Sequence, residues 1–133
     1  MLFVDLDHFK QLNDRYGHAK GDEVLVRVAQ AVRDCLREYD LLGRVGGEEF
    51  SIFLTGTTLD GGRTVAERIR ASIEAQRVPF HGGHIRVTAS IGITGSCCSV
   101  RPLTSIHEIQ PLADKAMYEA KLAGRNQVAV FGA

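Results

Sequence analysis

The chain is predicted to be α+β, a mainly antiparallel sheet flanked by helices. Amphipathic helical segments regularly interrupt strand-like runs, and a glycine pair between two apolar runs requires at least one antiparallel hairpin. The resulting order is strand, two helices, hairpin, helix, strands, helix, strand, a ferredoxin-like pattern. With 133 residues and 44% hydrophobic composition, one domain can bury a core without staples.

Each element has its own signal. The opening run Met1-Leu2-Phe3-Val4-Asp5-Leu6-Asp7 reads as a core strand. Phe9, Leu12 and Tyr16 then have helical spacing, and Gly17 stops that short helix. A second helix is expected over residues 21–37, with Val24, Leu25, Val28, Ala31, Val32, Cys35 and Leu36 as its buried stripe. Residues 41–45 and 50–54 are the arms of a hairpin whose tight turn is Gly46-Gly47, with Glu48 and Glu49 at its tip.

Val65, Ala66, Ile69, Ala71 and Ile73 mark the next helix, which Pro79 ends, and His81-Gly82-Gly83-His84 is a turn between strands. Residues 85–93 alternate apolar and polar as a half-buried strand, and residues 96–104 read as a loop. A last helix runs from Ser105 or Ile106 to Leu122, Gly124 caps it, and residues 128–131 close the fold as a strand.

Sixteen basic and sixteen acidic residues balance. No global field attracts DNA or RNA, so neither is an expected partner, and any anion must be held by local groups. Residues 1–50 hold ten acids and seven bases, the remainder six and nine. Cys35, Cys97 and Cys98 match neither a disulfide framework nor a metal knuckle and read as free thiols. No apolar run reaches the roughly 18 residues of a membrane span, and no secretion signal is present. The expected location is cytoplasmic, unless a flanking region tethers the protein to a membrane.

Asp5 and Asp7 close the first strand on one face. With the hairpin beside that strand, Asp5 and Glu48 or Glu49 converge at one sheet edge. Carboxylates among waters and phosphate oxygens are the ordinary setting of Mg²⁺, and such like charges repel without a cation. The alternative is that Asp5 caps the next helix while the glutamates decorate a solvated turn.

Phe3-Val4-Asp5-Leu6-Asp7-His8-Phe9-Lys10, Asn13-Asp14, Gly17-His18, Gly21-Asp22 and Arg44-Val45-Gly46-Gly47-Glu48-Glu49-Phe50 resemble, in order, the GGDEF domain of diguanylate cyclases in its GGEEF form. Ala113-Asp114-Lys115-Ala116, Tyr118, Ala120-Lys121 and Gly124-Arg125-Asn126 resemble the family's closing motif. The resemblance runs from residue 1 to about 131. It implies a fold similar to nucleotide cyclase and polymerase palm domains, and condensation of two GTP molecules into cyclic di-GMP with release of pyrophosphate.

Carried over by position, the resemblance makes Asp5 and Glu48 side-chain ligands of Mg²⁺ or Mn²⁺, helped by the Leu6 carbonyl, with Glu49 beside the attacking hydroxyl. Asn13 and Asp22 match guanine-reading positions, and Lys121 and Arg125 match triphosphate-neutralising ones. Phe9 and Lys10 border the substrate site, Phe9 as core and Lys10 as a phosphate contact or a solvated cation. Without the resemblance, Asn13 reads as a helix-end cap, Asp22 as a first-turn acid, and Lys121 and Arg125 as cations at a helix C-terminus.

Arg37-Glu38-Tyr39-Asp40 fits RxxD, five residues before Gly46. Alone it reads as a surface pair. At this offset it resembles the family's inhibitory cyclic di-GMP site, with Arg68 as its secondary arginine. The family's upstream DxLTGLxNR-like segment is not in the sequence, nor is a sensory or dimerising domain. Catalysis in the family needs a second GGDEF domain facing the first, so the chain alone is expected to bind nucleotide but turn over slowly. The other reading is a noncatalytic cyclic di-GMP receptor.

Overall fold

The computed structural model describes residues 1–95 and 106–131. Strand β1 (Leu2–Leu6) is followed by α1 (Phe9–Tyr16), α2 (His18–Asp34), β2 (Leu41–Arg44), β3 (Glu49–Phe53) and α3 (Leu59–Glu74). After these come β4 (Val78–Phe80), β5 (Gly83–Ile85), β6 (Ala89–Ile93), α4 (Ile106–Leu122) and β7 (Val128–Val130). The main sheet has the order β2-β3-β1-β6-β7, while β4 and β5 pair separately. Its neighbours are antiparallel except β6 and β7. The architecture is the predicted α+β one.

β1 lies at the centre and is buried along its length. Leu2, Val4 and Leu6 join Val24, Val28 and Val32 of α2 and Ile69 and Ile73 of α3. Phe3, on the other face, packs with Ala113 and Met117 of α4. The two-residue period of the strand thus divides it between two helical layers, and each buried aliphatic or phenyl group contributes about 1.5–3 kcal/mol. α4 lies almost on the β6 backbone. A Cβ at Gly92 would stand 2.1 Å from the Ala113 carbonyl oxygen and 2.2 Å from Met117 N.

Several boundaries differ from expectation. α2 begins at His18 and ends at Asp34, because Gly17, at φ 89°, turns the chain within a single residue between α1 and α2. The strand expected over residues 85–93 is two strands. β5 leaves with the β4 ribbon, while β6 is buried on both faces, one under α4 and the other against the α2 and α3 layer. α3 stops at Glu74, and Pro79 lies instead within β4, a two-stranded ribbon without inner strands.

The closing strand ends at Val130. The loop expected over residues 96–104, with Cys97 and Cys98, lies outside the described residues. Gly124 does cap α4. Gly124 N–H donates to Lys121 O at 3.3 Å and Arg125 N–H to Ala120 O at 3.0 Å, the paired bonds of a Schellman motif. Among the described residues no helix is long and apolar enough to cross a membrane.

Candidate active site

Strand register brings the acids together. Asp5 stands opposite Glu49 across β1 and β3, and Leu6 N–H donates to the Glu48 carbonyl at 3.2 Å. Opposed residues on neighbouring strands have Cβ atoms about 4.5–5.5 Å apart. From above the sheet, Lys121 Nζ reaches Asp5 Oδ2 at 2.9 Å, while Asp5 Oδ1 is buried with no hydrogen-bond partner.

Burial pushes the Asp5 carboxyl above the ordinary range; Lys121 opposes that rise without cancelling it, and the Glu48 charge adds to it. Glu49 is raised for a similar reason, first by burial and then by Asp5, Asp114 and Glu48. Among the described residues no three His, Cys, Asp or Glu side chains form a closed cage. The donor set instead fits a hard divalent cation that keeps water and takes substrate oxygens: all-oxygen ligands, one buried carboxylate oxygen without a partner, and acids whose ionisation needs a counter-charge.

The turn beside these acids is wider than expected. Neither Gly46 nor Gly47 has positive φ, so the two-residue primed turn is not formed. Arg44 pairs with Phe50, and Val45 N–H donates to Glu49 O at 2.9 Å. Arg44 closes the loop through Nη2 to Gly47 O at 2.7 Å and Nε to Gly46 O at 3.2 Å. The glycines leave bare backbone, since a Cβ on Gly47 would meet nothing within 4 Å.

Asn13 and Asp22 sit at the α1–α2 junction. A Cβ on Gly21 would overlap Asn13 Oδ1, and that oxygen is buried with no partner. The amide is therefore not spent as a helix cap. Asp22 is exposed, Phe9 is buried against the same junction, and Lys10 is exposed on α1. Arg125 is exposed just past α4, at φ 64°.

Arg37 and Asp40 meet directly. Arg37 Nε and Nη2 donate to the two Asp40 carboxylate oxygens at 3.2 and 3.1 Å, and Arg37 N donates to Oδ2 at 2.8 Å. The guanidinium also reaches Thr55 O at 2.8 Å and Thr57 Oγ1 at 2.7 Å and lies 4.6 Å over the Tyr39 ring. Burial would raise Asp40, but hydrogen bonds from the Arg37 side chain and backbone, with its charge, hold it below the usual carboxylate range. Arg68 is exposed on α3, one turn before Ser72, whose hydroxyl meets Cys35 Sγ at 3.5 Å beyond the end of α2.

Three contributors were given no task of their own by the sequence reading. Asp7, grouped there with Asp5, turns inward to Thr88, Ser90 and Asn126. Asn126 bonds Arg70 at 3.0 Å and also Glu74. Asp114 lies near enough to raise Glu49, and its seven-residue offset from Lys121, two helical turns on one face, was the available signal.

Known proteins share this fold. The family described as "Diguanylate cyclase, GGDEF domain" matches residues 1–127. Diguanylate cyclase A of Treponema denticola is 44% identical over 128 residues, 96% of this chain and 34% of that protein. The active GGEEF domain of a diguanylate cyclase from Vibrio cholerae superposes with TM-score 0.85 at 31% identity, covering 99% of this chain and 81% of that one. The GGDEF domain of DgcB from Caulobacter crescentus, solved in complex with c-di-GMP, gives TM-score 0.87 at 28% identity, with coverage of 99% and 77%. The chain spans 19% to 34% of the length of such curated relatives.

Proposed function

The chain belongs to the GGDEF family of diguanylate cyclases, and from that membership we propose that it condenses two GTP molecules into cyclic di-GMP, releasing pyrophosphate at each new phosphodiester bond. The observation that carries this reading is the buried Asp5 with one unpartnered oxygen, opposed to Glu49 and bridged to Lys121. A nucleotide triphosphate needs acids for its cation and bases for its phosphates, and both meet here.

Asp5 and Glu48, with the Leu6 carbonyl, would hold Mg²⁺ or Mn²⁺. When bound, such an ion polarises the α-phosphate and makes a 3′-hydroxyl a better nucleophile. Lys121 and Arg125 stabilise the charge that develops on the phosphoryl oxygens and on the leaving pyrophosphate. Glu49, raised by burial and by Asp5, would take or hold the proton of the attacking hydroxyl. Asn13 and Asp22 read guanine, the buried amide oxygen of Asn13 accepting a base N–H and the carboxylate of Asp22 receiving two.

One site holds one GTP, so the reaction needs a second copy facing the first, brought there by an upstream domain of the parent protein. Arg37, Asp40 and Arg68 supply product feedback. Arg37 stacks on Tyr39 at the surface; with Nε and Nη2 committed to Asp40, Thr55 and Thr57, it would meet guanine or phosphate through its remaining N–H groups and its planar face. A cytoplasmic location fits a GTP substrate.

The test is to incubate the chain, alone and fused to a dimerising coiled coil, with GTP and Mg²⁺ or Mn²⁺ and to separate the products. Cyclic di-GMP rising with dimerisation is expected. Its absence from the fused protein, with Asp5 and Glu48 intact, overturns the cyclase reading, and product binding in that same sample makes the domain a receptor.

A further inference from the structure

Asp7 is the one carboxylate of the opening motif that the proposed chemistry leaves without a task. It leaves β1 two residues after Asp5, is only 5% exposed, and spends its oxygens inward. Oδ1 accepts from Ser90 Oγ at 2.6 Å, and Oδ2 accepts from Thr88 Oγ1 at 2.7 Å and from Asn126 N–H at 3.0 Å. Its own N–H donates to Thr88 O at 2.8 Å. Asp5 Oδ1, by contrast, has no partner. Asp5 is poised for a ligand; Asp7 is already satisfied by protein donors.

The Asn126 contact belongs to an unusual turn. Gly124, Arg125 and Asn126 have φ of 123°, 64° and 46°. Two side-chain-bearing residues in succession in the left-handed region do not persist without outside anchors. The anchors are visible. Asn126 N–H is held by Asp7, the Arg125 carbonyl on the other end of the same peptide accepts from Gln127 Nε2 at 3.1 Å, and the Asn126 side chain bonds Arg70 and Glu74. Pinning both ends of the peptide between residues 125 and 126 sets ψ of Arg125, and with it the direction in which its side chain leaves the turn.

We infer that Asp7 is a positioning residue for the triphosphate: it touches neither cation nor nucleotide and acts by orienting Arg125 through the Asn126 N–H. This rests on the assignment of Arg125 as a phosphate contact. A guanidinium recognises phosphate oxygens through a fixed planar fork, so the turn's orientation decides whether the fork meets them. Guanine recognition, carried by Asn13 and Asp22 at the α1–α2 junction, lies on elements to which the Asp7 side chain makes no hydrogen bond, its bonds running to Thr88, Ser90 and Asn126.

The experiment compares GTP and GMP affinities by calorimetry in Mg²⁺ for wild type, Asp7→Ala, Arg125→Ala and the double variant. Asp7→Ala is expected to weaken GTP about tenfold, as a slight misplacement of a clamp does, and to leave GMP within about twofold. The double variant should lose little more than Arg125→Ala alone, because the two act as one unit. Asp7→Asn keeps an oxygen for Asn126 N–H and an amide for a hydroxyl, and is expected to recover most of the loss. Equal loss of GTP and GMP, no loss of either, or full additivity with Arg125→Ala overturns the inference. If Asp7→Ala does not fold, Ser90→Ala carries the test, with a loss of about threefold confined to GTP. Unchanged GTP binding by Arg125→Ala, or a wild type that binds GTP no better than GMP, removes the triphosphate assignment itself. Normal loss in Arg125→Ala with none in Asp7→Ala removes only the role of Asp7.

Discussion

Gly92→Ala isolates the contact that seats α4 on the sheet. The new Cβ would meet Ala113 O at 2.1 Å, Met117 N at 2.2 Å and Met117 Cα at 2.8 Å. These are backbone atoms of a helix, so no side-chain rotation relieves them, and α4 must retreat by about 1 Å. A radial gap of that size forfeits roughly a quarter to a half of the dispersion energy of the contacts it opens. With the strain of overpacking, the cost is about 3 kcal/mol. Since domains carry roughly 5–15 kcal/mol in all, the variant stays folded but weak. In urea, with a slope near 2 kcal/mol/M, the midpoint falls by about 1.5 M, and the melting temperature drops by roughly 12 °C. Lys121 rides on the last turn of that helix, so its 2.9 Å contact with Asp5 opens and GTP affinity falls with stability. A midpoint within about 0.3 M of wild type at unchanged slope refutes the packing argument.

Gly47→Ala is the contrasting case. With free space around the new Cβ and no positive φ, stability should stay within about 0.5 kcal/mol of wild type while GTP affinity falls; affinity matching wild type would mean that no phosphate approaches this backbone. Glu49→Gln should raise the melting temperature of the cation-free protein at neutral pH and shrink the further rise that Mn²⁺ produces. The sign follows from the raised carboxyls of Asp5 and Glu49: folding favours their protonated forms, so stability is lost as pH climbs from the ordinary carboxylate value through the raised one. A melting curve in which Glu49→Gln keeps the wild-type pH slope there would contradict this. Arg37→Ala should weaken cyclic di-GMP binding at least about tenfold while initial GTP turnover is retained, and unchanged product affinity by calorimetry would sink that assignment. The same substitution acts in acid. Asp40 is held low, so its contribution is whole above the ordinary carboxylate pKa and lost as pH falls through the lowered one. That part of the stability profile should flatten in the variant.

Local signals carried much of the fold. The apolar run of β1, the Gly17 break, the helical period of α3 and the Gly124 cap each depend on neighbours a few residues away, and all are found where their residue types require. Events set by distant partners were not legible. The alternation over residues 85–93 looks continuous because nothing local reveals that residues 83–85 pair with β4 while residues 89–93 enter the main sheet. Asp5 and Asp7 have identical spacing relationships to the strand, yet one faces Glu49 and Lys121 and the other is enclosed by Thr88, Ser90 and Asn126. Their separation follows from which neighbouring strand each leans toward, a matter of register. The glycine pair suggested a primed turn, but the loop instead carries a conformation any residue adopts, closed by Arg44.

The central claim is that the edge where β1 meets β3 is where a divalent cation and a triphosphate come together. Anomalous diffraction from crystals grown with Mn²⁺ and a non-hydrolysable GTP analogue tests it directly. The account predicts a Mn²⁺ peak at ligand distance from Asp5 and Glu48, shared with triphosphate oxygens, and guanine against Asn13. A nucleotide bound elsewhere, or a Mn²⁺ peak away from both acids, would contradict it.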